Sequence, residues 1–181
     1  TCLVLEAGRW RPDPRVPDLP QPRYFSTLVT VPGVGVFIMG GGGTYTSSLL
    51  LTGGSWEEGP TLPGGGAESG CGVAWGGSVF ILGGIPEHYQ VREYRTGSGE
   101  WEEESKWPQL GGKGRKWHGC SVLGSQLLVA GGWDSDCTYL SSTASLDLAS
   151  GAGAAWLEGG KLNTPRTGLA LVTVGAPGRE R

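Results

Sequence analysis

In 181 residues the chain has one methionine, Met39, one asparagine, Asn163, and two histidines, His88 and His118. Each scarcity narrows the function. Asn163 is followed by Thr164-Pro165, so there is no N-glycosylation sequon. Two histidines in different parts of the chain are a thin supply for a metal centre. The four cysteines have no Cys-x-x-Cys spacing, so nothing anchors a zinc set of His118, Cys120 and Cys137. No Gly-x-Ser-x-Gly nucleophile motif occurs. The glycine run at 40–43 is not followed by Gly-Lys-Ser/Thr, which leaves it a strand exit and not a phosphate loop. No apolar run approaches the roughly 20 residues a membrane helix needs. A formal charge of −3 and a pI near 5.4 argue against nucleic acid as the main partner. The expectation is therefore no catalytic residue, no metal ligand set, no cofactor and no membrane span.

Glycine, by contrast, is abundant, at 35 of 181 residues, against an average of roughly 7%. The glycines are paired between apolar runs, and eight tryptophans accompany them, which suits many short strands and tight turns better than disorder. The run Val79-Phe80-Ile81-Leu82-Gly83-Gly84 has counterparts at Val36-Phe37-Ile38-Met39-Gly40-Gly41 and Leu127-Leu128-Val129-Ala130-Gly131-Gly132. These doublets are 43 and 48 residues apart, and Trp10, Trp56, Trp101 and Trp156 keep step at intervals of 46, 45 and 55. Two independent marks with one shared period of about 40–50 residues define a repeat architecture in the propeller range.

Along the chain, residues 1–22 read as the end of a truncated repeat and a loop with five prolines, which cannot supply ladder donors. Thr1 begins inside a strand-like run, so the chain reads as part of something longer. Repeats follow at 23–60, 61–108 and 109–160, and 161–181 opens another, with Arg166 to Val174 as its first strand. Each repeat reads as four short strands joined by hairpins. An indole from one repeat is expected to meet a glycine strand end of the next, where no side chain obstructs it. Nothing reads as a long amphipathic helix.

The doublets, the following Tyr45 and Tyr139, the segments Glu93-Tyr94-Arg95 and Leu146-Asp147-Leu148, and the four periodic tryptophans together resemble the kelch repeat family. The third repeat matches best, through His118-Gly119-Cys120-Ser121-Val122-Leu123 and Gly131-Gly132-Trp133-Asp134. The first departs, with four glycines and no Tyr-Asp element before Trp56. The resemblance implies an all-β fold: a propeller fragment of about three complete four-stranded blades plus two partial ones, an arc with exposed blade faces at both ends. It also implies a non-enzymatic scaffold or adaptor that recognises another protein or peptide, in ubiquitin-ligase or cytoskeletal machinery. The alternative is a fragment of a galactose-oxidase-like copper enzyme.

In such a fold, loops entering first strands and loops following the doublets share one rim. That rim collects the expected binding residues Arg23, Tyr24, Arg115, Lys116, Trp117, Trp133, Asp134, Tyr139 and Arg166, of types that dominate binding hot spots. Cys71 and Cys120 read as the same place in consecutive repeats, near the propeller axis. They are either bridged or two buried thiols behaving as small hydrophobes. The compartment is cytoplasmic or secreted, and the cysteine placement leans toward secreted.

Overall fold

The computed structural model describes residues 2–102 and 106–174; the last seven residues of the expected fourth repeat lie outside it. The described chain is all-β and propeller-like. A hairpin, β1 (Leu3–Glu6) and β2 (Arg9–Pro12), precedes three four-stranded antiparallel sheets. The first contains β3 (Thr27–Val31), β4 (Gly35–Met39), β5 (Ser48–Thr52) and β6 (Ser55–Glu58). The second contains β7 (Cys71–Trp75), β8 (Ser78–Leu82), β9 (Val91–Arg95) and β10 (Glu100–Trp101). The third contains β11 (Gly119–Leu123), β12 (Gln126–Ala130), β13 (Thr143–Asp147) and β14 (Leu157–Glu158). Strands in each sheet pair in chain order. The innermost strands stand side by side, β3 against β7 and β7 against β11.

The unbroken apolar run of β8 is explained by burial on both faces. Val79 and Ile81 pack with Val29, Phe37, Met39 and Leu62 toward the first sheet. Phe80 and Leu82 pack with Trp107, Leu110, Leu127 and Val129 toward the third. A strand that alternates its side chains between two apolar neighbours has no solvent face to make polar.

Two expected features differ. The turn between β13 and β14 is a 3₁₀ segment, Leu148–Gly153, whose entry is capped by Asp147 accepting a hydrogen bond from the Ala149 amide. Residues 166–174 form no ladder strand. They pass beside β11, with Leu171 against Gly119 and Thr173 Oγ1 donating to the Val122 carbonyl at 2.8 Å.

The glycine doublets also have a different neighbour from the one expected. Their two glycines sit at positive φ in every sheet, at 62° and 98°, 55° and 91°, and 60° and 98°. A Cβ on the first of each pair would lie 1.7 Å from the Ala67 carbonyl oxygen at Gly40, 2.3 Å from that of Arg115 at Gly83, and 2.7 Å from that of Arg166 at Gly131. What crowds the doublet is thus the backbone of the loop that enters the next sheet, not an indole. The second glycine amide then bonds that same carbonyl: Gly41 to Ala67 at 2.8 Å, Gly84 to Arg115 at 2.9 Å, Gly132 to Arg166 at 2.7 Å. The tryptophans serve elsewhere. Trp56 Nε1 donates to the Pro17 carbonyl and Trp156 Nε1 to that of Pro108, clasping the loop that leads into their own sheet. Trp101 is half-buried against Tyr94, and Trp10 is 67% exposed.

Cys71 and Cys120 are disulfide-bonded, with Cα atoms 5.9 Å apart, but they do not hold the same place. Cys71 pairs with Leu82, the residue before its doublet; in the third sheet that register belongs to Gly119, paired with Ala130. Cys120 is one residue later, equivalent to Gly72. A Cβ on Gly72 would press on Thr27 and Val29 of the first sheet, and one on Gly119 on Leu171. Successive strand residues face opposite ways. The offset of one therefore turns Cys71 toward the third sheet and Cys120 back toward the second, and this is what lets them meet.

Candidate binding rim

Each loop entering an innermost strand bonds its own sheet's post-doublet loop. The Gly42 amide donates to the Tyr24 carbonyl. Glu68 and Ile85 exchange two backbone bonds, as do Lys116 and Trp133. A second series links neighbouring sheets: Ser69 N to Phe25 O, Trp117 N to Ser69 O and Gly168 N to Trp117 O, at 2.8 to 2.9 Å. All four of these residues are in the left-handed region, with φ of 55° at Phe25, 61° at Ser69, 51° at Trp117 and 64° at Gly168. A bulky residue held there costs about 1–2 kcal/mol. The inter-sheet bonds over-determine the conformation, a pattern that clusters at functional sites.

The strained backbone presents a track of rings. Tyr24 meets Phe25 at 5.3 Å, Phe25 meets Trp117 at 5.8 Å across the small Ser69, Trp117 meets Trp133 at 5.1 Å, and Trp133 meets Tyr139 at 5.3 Å. Lys116 Nζ lies 5.2 and 5.5 Å from the centres of the two indoles, a cation–π arrangement that fixes both rings. Tyr24, Phe25 and Tyr139 are each more than half exposed. Trp117 and Trp133, between them, are half-buried, and a continuous set of half-buried and exposed rings marks an interaction surface more strongly than scattered ones.

Of the expected residues, Tyr24, Lys116, Trp117, Trp133 and Tyr139 come together in this track, and Arg166 is exposed beside it. The other three turn inward. Arg115 is 8% exposed; its Nη1 donates to the Gly131 and Ser142 carbonyls and its Nη2 to Ser142 Oγ. Arg23 repeats this in the first sheet, with Nη1 bonded to Gly40 O, Thr44 Oγ1 and Ser47 O. Asp134 is buried, its Oδ1 accepting from the Asp136 and Thr138 amides, which shapes the loop that carries Tyr139. These residues hold the rim from beneath and do not face outward from it. Phe25 belongs to the track and was not singled out from the sequence; its signal was its register, two residues after Arg23 as Trp117 is two after Arg115.

Beneath the rim, His118 is 4% exposed and neither ring nitrogen has a hydrogen-bond partner among the described residues. Burial, with Arg115 adding repulsion, lowers its pKa from 6.5 to about 3. The folded protein therefore resists a proton that the unfolded chain accepts, so His118's contribution is intact above pH 6.5 and is lost as pH falls toward 3. By pH 5 the loss is about 2 kcal/mol. Urea midpoints at pH 7 and pH 5 should fall less for His118→Gln than for the natural chain; equal falls would contradict this.

Among the described residues no three of His, Cys, Asp and Glu converge as a metal set, and no helix is long and apolar enough to cross a membrane. No protein-family model matches the chain, and no curated protein matches it. Among solved structures it is similar to that of YjhT, with a TM-score of 0.65 at 17% identity, over 82% of this chain and 54% of that one. The chain thus spans about half the length of that neighbour, and the likeness supports a shared propeller-like fold alone.

Proposed function

We propose that this chain is a kelch-like propeller arc of about three complete blades and parts of two more, and that it works as a non-enzymatic binding module. It recognises another protein or peptide through the rim that carries Tyr24, Phe25, Trp117, Trp133 and Tyr139. The observation that supports this most is the continuity of the aromatic track, whose rings are set on strand ends tied together by inter-sheet bonds. Rings held by a rigid scaffold lose little freedom on binding and bury much apolar area, so they make efficient anchors. A scaffold or adaptor role, bringing the bound protein to other machinery, suits a surface of this kind.

The test needs a ligand, and a displayed peptide library selected on the full chain supplies one. Trp133→Ala and Tyr139→Ala are expected to weaken the selected peptide roughly tenfold or more. Ser98→Ala and Ser150→Ala, in the turns at the opposite rim, should change its affinity less than about twofold, all four variants being checked for folding. Loss of binding from the turn variants with the rim variants unaffected would overturn the assignment.

A further inference from the structure

The three sheets differ at and just before the start of their third strands, and in the third sheet a cleft lies beside that place. Leu49 pairs with Ile38, Arg92 with Ile81 and Ala144 with Val129, each at the second ladder pair before the doublet. In the first sheet Leu49 is buried there. In the second, Arg92 is 4% exposed, and with Gln90 it reaches the loop at Gly64, whose Cβ would lie 3.0 Å from Gln90 Oε1 and 3.5 Å from Arg92 Nη2. In the third sheet the matching residues are the short Ser142 and Ala144. The loop glycine matching Gly64 is Gly112, also at positive φ, and a Cβ there would meet nothing within 4 Å. In the third sheet this position borders a cleft of about 600 Å³, within the range of small-molecule sites, roughly 300–1,000 Å³.

The lining has two chemical parts. Leu110, Val129, Ala144 and the Trp156 indole give apolar walls, and the indole is held by its bond to Pro108. At the head is the Arg115 guanidinium, buried, with no carboxylate partner among the described residues. Three of its five donors go to Gly131 O, Ser142 O and Ser142 Oγ, and the other two have no acceptor among those residues. The other charged lining residues are Lys113, which is paired with Asp136, Asp134, whose Oδ1 accepts from two backbone amides, and Lys161 and Glu158. Arg115 is thus a lining cation with unmatched donors and no ion pair among the described residues, and its fork matches a carboxylate.

We propose that this cleft is a binding site for a small organic carboxylate with a flat apolar body, the carboxylate on Arg115 and the body against Trp156 and Ala144. It is separate from the aromatic track and does not rest on the rim reading. Phenylacetate is the probe, with its neutral isostere phenylacetamide and with acetate as controls, titrated into the isotopically labelled full chain by NMR. Phenylacetate is expected to shift the Gly112 and Ala144 amides and the Trp156 indole N–H saturably, with a Kd of about 1–10 mM for so small a ligand. Phenylacetamide should bind at least about fivefold more weakly, and acetate should leave the indole unmoved. Ala144→Leu installs the side chain that the first sheet carries at this position and should abolish the phenylacetate response while the fold is kept. If that variant does not fold, the three titrations of the natural chain decide. Equal binding of the amide, no saturable shift, or shifts away from Gly112, Ala144 and Trp156 would overturn the proposal.

Discussion

Gly40→Ala should destabilise the protein by about 2–5 kcal/mol. Two effects add. An alanine at φ 62° costs about 1–2 kcal/mol in backbone energy. Its Cβ would also lie 1.7 Å from the Ala67 carbonyl oxygen, so the loop entering the second sheet must move. That movement breaks the Gly41–Ala67 and Ala67–Tyr45 backbone bonds, each worth about 0.5–1.5 kcal/mol net. Gly76→Ala separates the two effects, because Gly76 has nearly the same φ, 59°, with nothing within 4 Å. It should lose only the backbone part. Urea midpoints of the two variants compare them directly. Equal losses would mean that the doublets are turn residues and not inter-sheet contacts.

Removing the disulfide should cost about 2–4 kcal/mol. Cys71 and Cys120 close a loop of 49 residues, and the chain-entropy account gives about 4 kcal/mol for a loop of that size. A Cys71→Ala/Cys120→Ala double variant should unfold at a lower urea concentration than the oxidised protein. Dithiothreitol should bring the natural chain down to a similar midpoint and leave the double variant unchanged. Cys2 and Cys137 are unpaired, so they supply no competing response. A natural chain indifferent to reductant would show that the bond does not form.

Much of the fold was legible because the repeat is written in residues whose physics is local. Apolar runs such as Val79 to Leu82 record burial on both faces, and glycine pairs record positive φ at a fixed place after each run. The reason for the doublets was not legible, since a carbonyl of the next loop leaves no mark of its own in a sequence. Arg115 and Asp134 read as surface groups because residue type does not show which way a loop side chain turns. Both are buried, and their hydrogen bonds run to backbone atoms. At the cysteines an offset of one residue leaves the period intact yet reverses the face, and only the ladder register reveals it. Residues 166–174 carried the pattern of an innermost strand, yet among the described residues no second strand stands beside them to form a ladder.

The central claim is that the rim carrying the aromatic track is the binding face. Amide shift mapping of the full chain with a library-selected peptide tests it most directly. The account predicts shifts at Phe25, Lys116, Trp117, Trp133 and Tyr139, and none at the opposite turns around Gly76, Ser98 and Gly124. Shifts confined to those turns, with the five rim amides unmoved, would contradict it.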